Sequence, residues 1–130
     1  MKKYTIKFYV DDGICRSSCA AQLEGLCSVL DDHYLERHLS RFNSELGQAV
    51  SSGSGFEVGF NSSFMQYDGK DHVKLLDSYG VNPYCIIGIE TLMSVFQKWS
   101  EWVLTKHKSQ AVEHIQIDSS LIRNESRGGL

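Results

Sequence analysis

The apolar spacing between residues 86 and 103 constrains the fold more than any other feature of the sequence. Apolar side chains recur there at three- and four-residue intervals, which is the period of one buried helix face. This stripe comprises Ile86, Ile89, Leu92, Met93, Phe96, Trp99 and Val103. Asn82 is a suitable N-cap and Pro83 is tolerated in a first helical turn, so the sequence predicts a helix over residues 82–106.

A second helical pattern follows Ser17 and Ser18, either of which suits an N-cap position. Its apolar members are Cys19, Leu23, Leu26, Cys27, Leu30, Tyr34, Leu39, Phe42 and Leu46. The charged pair Asp31-Asp32 interrupts the pattern, which favours two helices with a break over one long helix. Residues 51–55, with the sequence SSGSG, then predict a flexible loop because glycine and serine impose no preferred path.

The remaining segments carry the residue types and the alternation of strands. The predicted strands are residues 4–10, 56–60, 63–67, 72–76 and 112–117. Asp11-Asp12-Gly13 and Asp68-Gly69 supply turn residues between them. Since strand patterns outnumber long crossovers, the sequence predicts an α+β fold, in which an antiparallel or mixed sheet of about four to five strands packs with two to three helices.

The length of 130 residues and the hydrophobic content of 42% suit a single compact domain. We expect that domain over residues 1–122, followed by a flexible C-terminal tail over residues 123–130. No apolar run approaches the ~18 to 20 residues that a membrane span needs. Lys7 interrupts the first apolar segment, so that segment does not suit a secretory signal. These features predict a cytoplasmic protein.

The four cysteines are candidate disulfide partners, metal ligands or nucleophiles. In a cytoplasmic protein Cys15, Cys19, Cys27 and Cys85 are expected to be reduced thiols. The spacing of the first three does not form the two tight ligand pairs of a structural zinc site, although five histidines are present. Cys85 is followed by Ile86-Ile87, which favours a buried, inert thiol over a nucleophile.

No serine-hydrolase or phosphate-loop motif occurs in the sequence either. We therefore predict no enzyme activity, no catalytic residues, no cofactor and no metal. The alternative is a small thiol-dependent enzyme, or a redox or metal-binding protein, that uses Cys85 or the pair Cys15 and Cys19.

The net charge of -3 disfavours direct nucleic-acid binding, and the charge is unevenly distributed. Residues 17–97 hold ten acidic side chains against four basic ones, a net charge of -6. A concentrated acidic surface can steer onto, and plug, a basic cleft of a partner. The acidic residues proposed for such contacts are Asp31, Asp32, Glu36, Asp68, Asp71 and Asp77. The proposed aromatic anchors are Tyr67, Tyr79 and Trp102.

The chain is short and acidic and lacks catalytic motifs. It begins with a strand-helix pattern, and its late helix bears Trp99 within residues 88–99. In these features the chain resembles the immunity proteins of bacterial toxin systems, including contact-dependent growth inhibition. The resemblance covers residues 1 to about 120 in general character and transfers no individual site residue. It implies that the protein binds and neutralises a cognate toxin domain, often a nuclease, by covering its active site or a nearby surface. An adaptor subunit of a cellular complex is a further alternative. Neither of these two functional hypotheses involves a membrane or specifies an oligomeric state.

Overall fold

The computed structural model describes residues 3–20, 23–32, 35, 37–60, 63–77, 84–106, 113–118 and 122–125. The strands are β1 (Lys3–Asp11), β2 (Ile14–Ser18), β3 (Phe56–Gly59), β4 (Ser63–Tyr67), β5 (His72–Asp77), β6 (Tyr84–Gly88), β7 (Glu113–Asp118) and β8 (Ile122–Glu125). The helices are α1 (Glu24–Leu30), α2 (Leu39–Ser52) and α3 (Ile89–Glu101), and a single π-helical turn (Trp102–Lys106) continues α3. None of the described helices is long and apolar enough to cross a membrane.

The strands form two antiparallel sheets, which confirms the α+β prediction. The small sheet has the order β2-β1-β7, and the large sheet has the order β3-β4-β5-β6-β8. The prediction of one sheet with about four to five strands describes the large sheet and misses the small one. Strand β8 pairs with β6 as far as Glu125, so regular structure continues into the segment that was predicted as a tail.

The first hairpin confirms the strand predicted over residues 4–10. Asp11 pairs with Ile14, and the two residues between them have positive φ, 52° at Asp12 and 77° at Gly13. Positive φ at both central positions is the requirement of a two-residue turn that matches the twist of antiparallel strands. Asp and Gly tolerate this backbone, and the turn therefore fixes the register of β1 and β2.

The structure corrects the start of the first helical region. Ser17 and Ser18, predicted as N-caps, lie in β2, and α1 begins only at Glu24. Pairing with β1 takes these residues into the small sheet, where Ser17 is buried. The predicted break is confirmed, because α1 ends at Leu30.

The late helix also begins later than residue 82. Tyr84–Gly88 forms strand β6 between β5 and β8, and Gly88 is the N-cap of α3. Cys85, Ile86 and Ile87 are all buried, as expected for a strand covered on both faces. A short apolar run of this kind satisfies helix and strand patterns equally, so Ile86 was wrongly assigned to the helical stripe. Asn82 and Pro83 lie outside the described residues.

The central meander agrees with its prediction, and one loop is shorter than predicted. Strands β3, β4 and β5 pair in order, and the turn at Asp68-Gly69 joins the last two. Helix α2 continues through Ser52 and ends at Gly53, so the first two residues of the predicted loop are helical.

Helix α3 lies in the middle of the aromatic core. Its Trp99 meets Phe8 of the small sheet edge to face, with ring centroids 4.9 Å apart. Its Phe96 meets Phe42 of α2 in the same way, with centroids 5.1 Å apart. Helix α1 packs separately on β4, β5 and β6 of the large sheet.

Gly25 of α1 tests how closely that helix approaches the large sheet. A Cβ at Gly25 would lie 2.7 Å from the carbonyl oxygen of Leu75 and 3.1 Å from Cβ of Cys85, so Gly25→Ala forces the helix away from β5. We expect it to lower the free energy of unfolding by about 1 to 3 kcal/mol, measured by urea denaturation. The control is Gly47→Ala in α2, where an added Cβ meets nothing within 4 Å. That change should raise stability by about 0.5 to 1 kcal/mol, and an equal effect of both substitutions would contradict the close packing of α1.

Candidate functional site

A groove runs between helices α2 and α3 on the surface of the protein. Its volume is about 640 Å³. The described residues that line it are Asn43, Leu46, Glu90, Met93, Ser94, Gln97, Ser100, Glu101 and Leu104. All of them lie on α2, on α3 or on the π-helical turn, so the groove has helical walls throughout its described part. We call this feature the α2–α3 groove.

The apolar side chains that line the groove are Leu46, which is buried, Met93, which is half-buried, and Leu104. Leu104 is 70% exposed and is the one large exposed hydrophobic side chain in the part of the chain that the structure describes. Polar side chains accompany these residues, and Nδ2 of Asn43 donates a hydrogen bond to Oγ of Ser100 at 3.0 Å. This bond joins α2 to α3 across the groove and holds the two walls at a defined spacing.

Carboxylates stand at the two ends of the groove along α3. Glu90 lies in the first turn of α3 and Glu101 is its last residue. Nε2 of Gln97 donates to Oε1 of Glu101 at 3.4 Å. No lysine, arginine or histidine occurs among the described lining residues, although Lys98 is exposed elsewhere on α3. The groove therefore combines an apolar floor with negatively charged ends.

The acidic turn between β4 and β5 adjoins the Glu90 end of the groove. The backbone N–H of Ile89 donates to the carbonyl oxygen of Asp71 at 2.8 Å, which places this turn against the N-terminus of α3. Asp68 and Asp71 are both exposed, as is Lys70 between them. We call Asp68, Asp71 and Glu90 the acidic edge. Two of the acidic residues predicted from sequence thus lie beside a groove that the sequence did not reveal.

Asp68 also has a structural role in this turn. Its Oδ1 accepts hydrogen bonds from the backbone N–H groups of Lys70 at 2.7 Å, Asp71 at 3.1 Å and His72 at 3.3 Å. Slight desolvation acts to raise the pKa of Asp68, but these three bonds and the nearby His72 outweigh it and hold the pKa below its ordinary value of 3.8. The carboxylate is therefore charged at neutral pH and helps to fix the shape of the acidic edge.

Several predicted contact residues are buried and cannot meet a partner directly. Trp102 is fully buried, with its ring 5.9 Å from that of Phe8, because the small sheet covers this side of the helix. Tyr67 is 3% exposed, and its hydroxyl donates to the carbonyl oxygen of Lys70 at 3.1 Å. The proposed anchoring roles of Trp102 and Tyr67 are therefore wrong.

The acidic pair Asp31-Asp32, which follows α1, also makes hydrogen bonds inside the protein. Asp32 is 3% exposed and accepts a hydrogen bond from Oγ of Ser63 at 3.3 Å, so its predicted surface role is wrong. Asp31 is half-buried, and its Oδ1 accepts from the backbone N–H of Ser17 at 2.6 Å and from the hydroxyl of Ser17 at 2.8 Å. These carboxylates join α1 to strands of both sheets. Glu36, Tyr79 and the side chain of Asp77 lie outside the described residues.

The cysteines do not form an exposed thiol site among the residues that the structure describes. Cys85 is fully buried, and burial raises its pKa from 9.0 to about 12 against the opposing effect of a backbone hydrogen bond from Leu26. Cys15 is buried as well. Cys19 and Cys27 form a disulfide with Cα atoms 6.8 Å apart, which corrects the expectation of four reduced thiols. The end of β2 and helix α1 are brought together here by the hydrogen bonds between Ser17 and Asp31.

No group of three or more His, Cys, Asp or Glu residues within the described ranges is placed to hold a metal ion. Comparisons of the chain with protein-family models, with curated proteins and with solved structures find no match. We therefore base the proposal of a function on the geometry and charge of the α2–α3 groove.

Replacing Asp68 tests the structural role of its carboxylate. We expect Asp68→Ala to lower the free energy of unfolding by about 0.5 to 1 kcal/mol at neutral pH, because three backbone N–H groups lose their acceptor in an exposed turn. Since the folded state lowers the pKa of Asp68, this contribution is present above its ordinary pKa and is lost as the pH falls through the lowered value. Urea denaturation of the wild type and the variant should show the difference shrinking in acid. Asp71→Ala removes a carboxylate from the same turn and is the control. A difference for Asp68→Ala that persists unchanged in acid would contradict the assigned role.

Alkylation tests whether Cys85 is reactive. Because the thiolate is the nucleophile and the pKa of Cys85 is about 12, native protein treated with iodoacetamide at neutral pH should leave Cys85 unmodified. Mass spectrometry of the digested protein should find Cys85 labelled only after denaturation in urea. Labelling in the native state at the rate of a free thiol would restore the thiol-dependent alternative.

Proposed function

We propose that this protein is a non-catalytic immunity protein that binds a basic bacterial toxin domain through the α2–α3 groove and the acidic edge. The main observation behind the proposal is the combination of the half-buried Met93 and the exposed Leu104 with carboxylates near both ends of α3. Apolar groups that lose contact with water supply affinity, and charges around them supply orientation and a fast encounter. The groove provides both on one face of the protein.

The exposed Leu104 gives the groove an apolar contact for a partner. Leu104 and Met93 are the side chains of the floor that α3 and its π-helical continuation supply. Burying a leucine of this kind stabilises a complex by about 1.5 to 3 kcal/mol. A specific complex buries about 1,200 to 2,000 Å² in total, so the interface is expected to extend from the groove onto the acidic edge.

The acidic edge indicates the charge of the partner. Glu90 lines one end of the groove, and the exposed Asp68 and Asp71 lie in the turn that contacts the N-terminus of α3, where the exposed Lys70 offsets one of the three negative charges. Toxin nucleases hold their substrates through positively charged clefts that bind phosphate. Carboxylates on an inhibitor occupy such a cleft in place of phosphate, which blocks the substrate without any chemistry by the inhibitor.

The thiol-dependent enzyme is less well supported as an alternative. Cys85 and Cys15 are buried, and Cys19 is joined to Cys27. Catalysis by a thiol requires an accessible thiolate with a lowered pKa, and burial raises that of Cys85 instead. The binding function needs no such group.

Neutralisation of a neighbouring gene product tests the proposal. Each protein encoded beside this gene is expressed in a susceptible host with and without this chain, and growth and co-purification are measured. We expect one of them to be toxic, to bind this protein and to be neutralised by it. Leu104→Lys should weaken that complex by roughly 30-fold or more, because loss of a central contact in an interface costs about 2 kcal/mol or more.

The matched control is Gln48→Lys, which adds the same charge at an exposed position of α2 that does not line the groove. Both positions are exposed, so circular dichroism should show an intact fold for both variants. The proposal is wrong if no neighbouring protein is bound and neutralised. The assignment to the groove is wrong if Leu104→Lys protects as well as Gln48→Lys.

A further inference from the structure

We infer that the element of the partner that occupies the α2–α3 groove is a single amphipathic helix with cationic residues near both ends. This inference rests on the proposed function in taking the groove as the binding surface, and it adds the shape and charge pattern of what binds there. The spacing of the lining residues, the helical walls and the positions of the carboxylates support it.

Helix α3 supplies most of the described residues that line the groove. The lining positions on that helix recur at three- and four-residue spacing, so they form one face. They are Glu90, Met93, Ser94, Gln97, Ser100 and Glu101. At 1.5 Å per residue, the two carboxylate-bearing ends lie about 16 Å apart along the axis, which matches about three turns of a bound helix.

The walls favour a helix over an extended segment. A peptide that binds as an added β-strand pairs with a strand edge, and none of the described lining residues belongs to a strand. A helix satisfies its own backbone internally and presents only side chains. It can therefore place an apolar stripe on Met93 and Leu104 without leaving backbone groups unpaired.

The apolar residues of the groove can accommodate bound helices whose apolar side chains differ in shape. Met93 is unbranched and flexible, and it adapts to different apolar groups. Leu104 projects into solvent at the far end of the groove and can close over a bound helix. Leucine-sized residues at three- and four-residue spacing on the partner would meet this floor, as in other helix-in-groove complexes.

The carboxylates of the groove determine which charges the bound helix is expected to carry near its ends. Glu90 and the neighbouring Asp71 lie at one end of the groove, and Glu101 lies three residues before Leu104 toward the other end. Lysine or arginine near each end of the bound helix would meet these carboxylates, while acidic residues there would be repelled. The described lining contains no basic residue that would reverse this preference.

A model peptide tests the inference without knowledge of the natural partner. The probe is a fluorescein-labelled helical peptide of about 15 residues, with a leucine stripe at i, i+4, i+7 and i+11 and arginines near both ends. Binding to the full-length protein is measured by fluorescence anisotropy at low and moderate salt. We expect saturable binding that weakens with salt. A peptide with glutamates in place of the arginines should bind about tenfold or more weakly.

Variants of the protein assign the binding to the groove. Leu104→Lys should weaken peptide binding by about tenfold or more, while Gln48→Lys should leave it unchanged. The double variant Glu90→Gln and Glu101→Gln should weaken binding and flatten its salt dependence. Glu57→Gln, which removes a carboxylate from the exposed face of β3 outside the groove, should alter neither.

The outcomes separate this inference from the proposed function. If the peptide does not bind while a toxin is neutralised through Leu104, the helical occupant is overturned and the immunity function stands. If the peptide binds as expected while no toxin is neutralised, the occupant stands and the immunity function fails. Equal binding of the arginine and glutamate peptides, or binding that Leu104→Lys does not weaken, overturns the inference.

Discussion

The burial of helix α3 between the small sheet and helix α2 is the interaction on which the rest of the structure depends. Trp99 packs on Phe8 of β1, and Phe96 packs on Phe42 of α2. Aromatic pairs of this geometry contribute about 0.5 to 1.5 kcal/mol each beyond the burial of their area. Because one helix meets both neighbours, its inner face is committed to the core, and its outer face is left to form a wall of the α2–α3 groove.

The same packing decides which polar groups remain available for recognition. Asp31 and Asp32, which a sequence analysis places on the surface, hold α1 to strands β2 and β4 by hydrogen bonds from Ser17 and Ser63. Burial of a carboxylate costs free energy unless it is hydrogen-bonded, and these bonds offset that cost. The carboxylates left for a partner are those at turns and helix ends, including Asp71 and Glu90.

Local patterns predicted much of the fold. The strand over residues 4–10, the turn within Asp11-Asp12-Gly13, the meander and helix α2 follow from alternation, turn chemistry and helical spacing. The local patterns gave wrong predictions where the spacing of apolar residues fits both a helix and a strand. Residues 84–88 continue the apolar spacing of α3, and only their pairing with β5 and β8 makes them a strand. Ser17 and Ser18, predicted as N-caps, lie in a strand because Ile14–Ser18 pairs with β1.

The sequence by itself determined the α+β class, the concentration of negative charge within residues 17–97 and the acidic turn at Asp68 and Asp71. Only the tertiary structure decided that Trp102 and Tyr67 lie in the core, and that Leu104 is exposed in a groove that Glu90 and Glu101 also line. The physical reason is that exposure depends on which elements cover a side chain. Spacing along the chain reveals that a helix has two faces, whereas packing against the small sheet and α2 decides which face is buried.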